Sequence, residues 1–396
     1  MTMKQKNIFF RSAIVLSLMA ATALHATNGD TIIGVGAKTR AMGGAGIALS
    51  HGAESTLVNP ALITNVKSTQ ISFGGTVFMP TIKTDMGFGE DESAADISMI
   101  PSVAIASRVS PGFYAGIGMW GTAGMGVDFR DSTDPMKMQM ETTLQLMQFA
   151  VPLAYKTGGF SVGVAPILQY GSLDIHYNRG APVGSGQEQD FGFGASVGAT
   201  YDFGNGFTVG AVYKSEIEME YGKSISAAMA PMMPPGSPAV SNLLTQPAEI
   251  GIGLGYTDGT HSFAIDYKKI KWGDADGYKM FGWEDQNVFA VGYEYAQANW
   301  ALRIGYNHGS SPVTENANPV NNMLNLLGFP ATAENHYTLG GSYQFTKNLT
   351  LDLAIVYSPE AKNTYSLAGI PGMPPGAAIT NKHSEVSTTF QFSYKF

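Results

Sequence analysis

The chain has 396 residues, a formal net charge of −8 and a charged fraction of only 14%, whereas soluble domains carry roughly 25%. The acidic balance provides no basic stripe for a phosphate backbone, so nucleic acid is excluded as a partner. The chain has no cysteine, which excludes disulfides and thiol chemistry, and its seven histidines show no metal-binding spacing, so neither metal nor cofactor is predicted.

The first 26 residues have the features of a secretory signal peptide. Lys4, Lys6 and Arg11 precede an apolar run over 13–20, and small residues follow it. This run is too short for a transmembrane helix, which needs about 20 apolar residues. We therefore predict that residues 1–26 direct export and that any membrane insertion uses strands.

A glycine-rich segment from Arg40 to Ile63, RAMGGAGIALSHGAESTLVNPALI, differs from everything that follows it. Its middle is helix-like, and Asn59-Pro60 is predicted to end that helix, because proline cannot continue one. An asparagine that hydrogen-bonds backbone beside a rigid proline could form a fixed latch, or the pair could be only the turn into the first strand. The glycines fit neither a dinucleotide fingerprint nor a P-loop.

From Thr69 to the last residue the sequence alternates with period two. In LTLDLAIVY, 349–357, every second residue is Leu, Ile or Tyr, and the residues between them are smaller or polar. A soluble sandwich would place long charged residues on its wet face, whereas Gly, Ala, Ser and Thr here suit a crowded barrel lumen. The pattern predicts about fourteen strands: 69–78, 98–109, 113–121, 142–156, 160–175, 189–203, 207–218, 246–257, 261–272, 286–295, 299–308, 335–345, 349–358 and 384–396.

Tight turns alternate with long loops between these segments, which is typical of a transmembrane barrel. The predicted fold class is therefore an all-β, 14-stranded antiparallel transmembrane β-barrel. The last strand, TTFQFSYKF, ends in Phe396 and is similar to the signal by which bacterial outer-membrane barrels are recognised for assembly.

Three long loops are unusually apolar for water-facing segments. A contiguous exposed apolar surface usually marks a binding site, and methionine adapts to ligands of varied shape. The alternative is that the loops pack on one another as a cap. The candidate ligand-capture residues are Met229, Met232, Met233, Leu243, Leu244, Met323, Leu324, Leu327 and Phe329.

Alternation also directs three charged residues of consecutive strands into the lumen: Asp266, Glu294 and Arg303. Charges in a barrel interior normally pair, because an isolated charge is costly to desolvate. The three residues could pair structurally with the amino-terminal segment, or they could form a polar end of a transport pathway that meets a carboxylate.

The stretch GVGAKTRAMGGAGIALSHGAESTLVNPALI, with FAIDYKKIKWGD and the terminal phenylalanine, resembles the FadL/TodX-type outer-membrane transporters of long-chain fatty acids and aromatic hydrocarbons. The resemblance implies that residues 27–66 form a small helical hatch, or plug, inside a barrel of residues 67–396. It also implies a kink in the third strand, which Gly121, Gly124 and Gly126 would permit. The hatch and gate residues that it implies are Arg40, Gly44, Gly46, Asn59, Pro60 and Ala61.

We therefore expect a bacterial outer-membrane protein that is not an enzyme and that passively takes up hydrophobic small molecules such as fatty acids or aromatic hydrocarbons. The expected partners are this ligand, outer-membrane lipid with lipopolysaccharide, and the barrel assembly machinery, and the expected state is a monomer. The alternatives are a general aqueous porin and an outer-membrane lipid hydrolase. An adhesin or phage receptor could coexist with transport, because the loops are exposed.

Overall fold

A computed structural model describes residues 28–233, 236, 239–370 and 373–396. The predicted signal peptide, residues 1–26, lies outside these residues. The described chain forms one closed antiparallel sheet of fourteen barrel strands, and pairing of the first with the last strand closes it, from Gln70 opposite Lys395 to Asp85 opposite Thr380. The predicted fold class is thus confirmed.

The strands follow the chain around the barrel. They are β1 Gln70–Asp85, β2 Ser98–Ser110, β3 Phe113–Asp128, β4 Glu141–Ala150 continuing as Leu153–Thr157, β5 Phe160–Asn178, β6 Glu188–Asp202, β7 Phe207–Lys214, β8 Glu249–Thr257, β9 His261–Ile270, β10 Gln286–Ala296, β11 Trp300–Gly309, β12 Asn335–Gln344, β13 Leu349–Ser366 and β14 Ala378–Lys395. Two short strands, Glu90–Glu92 and Pro182–Val183, extend β1 and β5 at the loop end.

The helical pieces are all short. They are α1 Ala37–Ala41, α2 Ser224–Met229 and α3 Pro319–Met323, with 3-10 turns at Gly52–Leu57, Pro60–Asn65, Pro135–Lys137 and Ala230–Met232 and a π turn at Leu324–Gly328. Across the described ranges, none of the helices is long and apolar enough to cross a membrane.

Each predicted strand has a counterpart, but several are longer than predicted. β3 was expected to end at 121 and continues to Asp128, and β13 continues to Ser366. Beyond the apolar band both faces of these strands are polar or covered by loops, so the alternation that marks a strand in the sequence is lost there.

The outer surface of the barrel is apolar. On β14 the outward residues include Phe390 and Tyr394, whereas the inward Thr389, Gln391 and Ser393 are buried. Exposed and half-buried aromatic residues of the strands cluster beside the short turns, among them Phe113 with Tyr155, Phe207 with Tyr256 and Tyr343 with Phe345. A second group, which includes Tyr267, Phe289 and Tyr337, lies toward the loop end. Two aromatic girdles flanking an apolar band are the arrangement that a bilayer selects.

The described part of the hatch, residues 28–66, lies inside the barrel. Most of its residues are buried, and its backbone packs on inward positions of the wall, as where Met42 meets Gly292 and Ile47 meets Gly210. Helix was predicted to run through 47–58 and to end at Asn59-Pro60. Instead, Asn59 caps a further 3-10 turn, Pro60–Asn65, by accepting a hydrogen bond from the Ala61 amide at 3.1 Å. Proline is well suited to the first helical position, which explains the difference.

Candidate functional site

A carboxylate of the wall anchors the centre of the hatch. Asp266 of β9 accepts hydrogen bonds from the Gly46 and Ile47 amides at 2.7 and 2.9 Å. Gly44 turns with a φ of 83°, which favours glycine. The tight turns therefore present backbone amides, rather than a cationic side chain, to a wall carboxylate.

Buried charges fix the first helix of the hatch. Arg40 is buried and donates a hydrogen bond to the Ser387 hydroxyl of β14 at 2.6 Å. Glu54 accepts hydrogen bonds from the Thr39 amide and hydroxyl at 2.9 and 3.0 Å, and another from the Gln391 side chain. Burial raises the pKa of the Glu54 carboxyl, and these donors oppose that rise. Helix α1 and the 3-10 turn Gly52–Leu57 are thus tied to each other and to β14.

Asn59-Pro60 fits a recess in the wall. The Asn59 side chain donates to the Ile47 carbonyl at 2.8 Å and so ties the latch to the anchored turn. The recess exists because glycines face it: a Cβ at Gly198 would lie 1.9 Å from Asn59 Oδ1, and one at Gly163 would lie 2.5 Å from the Pro60 carbonyl carbon. Only a glycine wall lets the hatch come this close.

Gly198→Ala should therefore destabilise the folded protein by about 1–3 kcal/mol through overpacking. Asn59→Ala removes the atom that the new methyl group would strike, so the double variant should lose less stability than the sum of the two single variants. Denaturant unfolding of the three variants in lipid measures this coupling. If the stability losses of the two single variants simply add, the glycine recess is not what holds Asn59-Pro60 in place.

The third strand contains an interruption that exposes one edge. Between Gly121 and Ala123 the register of β3 against β4 shifts by one residue, which leaves Thr122 as a bulge. Pairing of β2 with β3 stops at Ser102 opposite Trp120, although β3 continues to Asp128. We call the gap between the two strands beyond this pair the slot.

The start of the hatch, residues 28–36, occupies the slot, and we call it the tail. The Ile32 amide donates to the Thr122 carbonyl at 3.1 Å, and the Gly124 amide donates to the Asp30 carbonyl at 2.9 Å. Thr31 thereby lies opposite Ala123 as an added antiparallel bridge. The Ile32 side chain packs on Phe78 and Ile100 of β1 and β2. The tail, rather than a neighbouring strand, thus bonds β3 at Thr122 and Gly124, and the loop after β1 bonds its end at Asp128.

An apolar cavity of about 30 Å³ lies between the loops and the barrel strands at the loop end. We call it the loop pocket. Tyr278, Phe281, Trp283 and Phe329 line one part of it, and Met125, Met140 and Met229 line another. Trp272, Tyr278 and Trp283 pack on one another with ring centroids 4.7–5.1 Å apart, within the range of favourable aromatic contacts. The pocket belongs to the largest apolar cluster of the described chain.

One hydrogen bond links the loop pocket to the tail. The Tyr278 hydroxyl donates to the Asp30 carboxylate, which also accepts from the Gln246 side chain at 3.0 Å. Burial raises the pKa of Asp30 to about 6, and the hydrogen bonds from Tyr278 and Gln246 oppose the rise. Tyr278 and Gln246 both donate to this carboxyl, which is the arrangement that a carboxylate, an acceptor only, requires. The same residue bonds the pocket through its side chain and β3 through its backbone.

Most of the predicted capture residues do not form an exposed surface. Met229, Leu244, Met323, Leu324 and Leu327 are buried, and Met232, Met233, Leu243 and Phe329 are half-buried. The expectation of a contiguous exposed apolar surface is therefore wrong, and the alternative of a packed cap describes the loops. Their side chains gain more by burying apolar area against one another than by facing water.

The predicted lumen charges lie apart. Asp266 holds the hatch, whereas Glu294 and Arg303 pair across β10 and β11 at 2.5 Å. Arg303 also donates to the Ser342 hydroxyl at 2.6 Å. This pair lines a polar vestibule of about 450 Å³ at the short-turn end, together with Lys38 and His51.

Of the predicted kink glycines, Gly121 borders the bulge and Gly124 bonds the tail, while Gly126 lies further along β3 opposite Thr143.

Sequence reasoning missed the link between pocket and tail. Asp30 and Ile32 precede the segment that drew attention, and they follow the predicted signal peptide by only a few residues. Tyr278 and Trp283 lie in the loop after β9. Four large aromatic residues in this one loop, Trp272 and Phe281 among them, were a usable signal for a buried cluster, because water-facing loops rarely carry so many.

Comparison with solved structures finds the same fold. A Pseudomonas aeruginosa FadL homologue superposes with a TM-score of 0.72 at 14% identity, covering 93% of this chain and 100% of its own. The Pseudomonas putida toluene transporter TodX gives 0.68 at 18% identity, covering 92% and 99%. The Ralstonia pickettii toluene transporter TbuX gives 0.64 at 17% identity, covering 92% and 98%.

Curated relatives include a 47 kDa outer membrane protein of Pasteurella multocida, 23% identical over 88% of this chain and 89% of the relative. Outer membrane protein P1 of Haemophilus influenzae is 22% identical over 78% and 81%. The family model described as outer membrane protein transport protein (OMPP1/FadL/TodX) matches residues 13–265 and 264–396. With this match over nearly the whole sequence, the fourteen-stranded barrel and its internal hatch belong to a member of the OMPP1/FadL/TodX family of outer-membrane transport proteins.

Proposed function

We propose that this chain takes up hydrophobic small molecules passively across the outer membrane, through the loop pocket and out sideways at the slot. The observation that carries the proposal is the hydrogen-bonded path from Tyr278 through Asp30 to Gly124 of β3, beside the bulge at Thr122. A solute that displaces pocket side chains acts on the residue that holds the tail. The tail in turn bonds Thr122 and Gly124 in the part of β3 that β2 leaves unpaired.

In the proposed sequence, the solute first enters between the packed loops and widens the loop pocket. Movement of Tyr278 weakens the hold on Asp30, and the tail leaves the slot. The solute then passes between β2 and β3 into the bilayer. Such a route avoids both the lipopolysaccharide leaflet and periplasmic water, so an apolar molecule is never transferred into an aqueous phase.

No chemical step or cofactor enters this proposal, since a concentration gradient and removal of the solute inside the cell supply direction. The gate comprises the anchored hatch, Arg40 to Ala61, and the tail that precedes it. In the proposed setting the barrel works as a monomer, is inserted by the assembly machinery and presents its loops to lipopolysaccharide.

Filling the pocket tests the proposal. Ala228 of α2 lines the loop pocket and is buried, whereas its neighbour Ala227 is half-buried and is not one of the lining residues. Ala228→Phe should reduce uptake of a radiolabelled neutral hydrophobic solute by cells or proteoliposomes at least about tenfold, because overpacking leaves no space for the ligand. Ala227→Phe should leave uptake near wild type. Equal uptake by both variants, with folding intact, would remove the pocket from the pathway.

A further inference from the structure

We propose that the loop pocket selects uncharged hydrophobic molecules, aromatic ones above all, and rejects carboxylates. Of the two ligand classes that the sequence resemblance implies, this chain would therefore carry neutral hydrocarbons rather than ionised fatty acids. The inference rests on the proposed uptake function and assigns the ligand class of its pocket.

The polar groups that line the pocket already have partners. Thr142 Oγ1 donates to the Gly328 carbonyl and accepts from the Val127 amide. Asn325 accepts from Trp283 Nε1 at 3.1 Å and donates to the Phe281 carbonyl at 2.9 Å. A carboxylate could gain a donor here only by breaking one of these bonds, which would leave a buried polar group unsatisfied at a cost of about 1–3 kcal/mol.

An acidic side chain lies against the lining of the pocket. Asp30 lies directly behind Tyr278 and accepts its hydroxyl proton in a hydrogen bond. A ligand carboxylate against Tyr278 would face this buried carboxylate in an environment with little water to screen the repulsion. A neutral ligand meets no such penalty.

The cations close to the site are already compensated. None of the pocket-lining residues in the described chain is Lys or Arg. Buried Lys137, in the loop after β3, uses its three ammonium protons on the Gly89 carbonyl and on Asp91 and Asp134, at 2.9–3.1 Å.

A second cavity of about 60 Å³ lies on the other side of the tail and contains two lysines. Lys214 pairs with Glu249 at 3.2 Å. Lys268 lies within electrostatic reach of both Glu249 and Asp266. Both lysines thus already have acidic neighbours, and a ligand carboxylate would compete with Glu249 and Asp266 for them.

The volume and lining of the pocket favour a small planar ligand. Its volume, about 30 Å³, is well below the ~150 Å³ of an engineered apolar cavity that binds benzene. The pocket must therefore widen, which the flexible Met125, Met140 and Met229 allow, and a single ring requires the least widening. Tyr278, Phe281 and Trp283 offer ring edges and faces to such a ligand.

Matched ligand pairs test the inference. Toluene against benzoate, and methyl decanoate against decanoate, should be titrated into the full barrel in lipid nanodiscs at neutral pH. Tryptophan fluorescence reports binding, after correction for partitioning into empty nanodiscs. We expect each neutral member to bind at least about tenfold more tightly than its carboxylate, because the ionised group loses its hydration without gaining a partner.

A variant that adds a positive charge to the pocket sharpens the test. Met140→Lys places an ammonium in the pocket and should raise the affinity for benzoate, whereas Phe88→Lys adds the same charge on the exposed loop after β1 and should not. Electrophoretic mobility before and after heating reports whether each variant has folded, and the wild-type comparison stands without them.

The possible results separate the inference from the proposed function. Carboxylates that bind the wild type as tightly as their neutral partners would overturn the neutral-ligand inference and leave uptake standing. If Lys268→Met then removed that binding, the carboxylate would lie in the second cavity, which would overturn the claim that this chain carries neutral hydrocarbons rather than ionised fatty acids. If no member of either pair binds, both the inference and the proposed function fail.

Discussion

A barrel that lacks both its hatch centre and its inserted loop should conduct ions steadily across a planar bilayer. Residues 41–58 fill the lumen, where Met42 and Ala45 pack on Ala264 and Ala290 of the wall. Above them, the loop between β11 and β12 buries Leu326 and Leu327 in the apolar cluster. Because these two segments lie in series along the lumen, removing one leaves the lumen closed by the other.

The experiment compares three variants in which short Gly-Ser linkers replace residues 41–58, residues 319–333, or both. Each single replacement should stay closed or show only brief openings, and the double replacement should behave as an open pore, because water fills a polar barrel lumen. Heat-dependent electrophoretic mobility controls for barrel folding. A folded double variant without current would show that neither segment closes the lumen. Steady current from the wild type would instead favour the aqueous porin.

Sequence patterns predicted the barrel far better than the site. Strict alternation over segments such as 349–357 follows from having lipid on one side and a crowded lumen on the other, so strand number and order were predictable. Strand ends were less predictable where that contrast disappears, as in the second half of β3 and the first residues of β14.

The hatch shows why local patterns were insufficient. Its 3-10 turns are too short for any periodicity, and their conformation depends on bonds to distant residues, such as Asp266 with the Gly46 amide and Arg40 with Ser387. The contact of Asp30 with Tyr278 joins residues 248 positions apart. Apolar loops were visible in the sequence, but whether they face water or one another depends on how seven loops meet at one end of the barrel.

A disulfide between tail and β3 should stop transport reversibly. The bonds from Ile32 to Thr122 and from Gly124 to Asp30 make Thr31 and Ala123 a non-hydrogen-bonded antiparallel pair. The α-carbons of such a pair lie about 4.5 Å apart, within the range of roughly 4.4–6.8 Å that a disulfide spans. The chain has no cysteine of its own, so Thr31→Cys with Ala123→Cys creates a single defined bridge.

Oxidised double-cysteine protein should take up neutral hydrophobic solute at least about tenfold more slowly than the same protein after reduction, because the bridge removes the tail-released state. Thr31→Cys alone controls for the loss of the threonine hydroxyl and should respond to neither treatment. The ligand affinity of the loop pocket, measured by fluorescence, should change much less than the rate.

The central claim is that solute leaves through the slot only when the tail releases β3. Its most direct test is the uptake rate of the Thr31→Cys/Ala123→Cys barrel in proteoliposomes, measured before and after addition of a reductant. The account predicts near-zero uptake while the bridge is intact and recovery to the single-cysteine rate after reduction. Undiminished uptake through a fully bridged protein would contradict it.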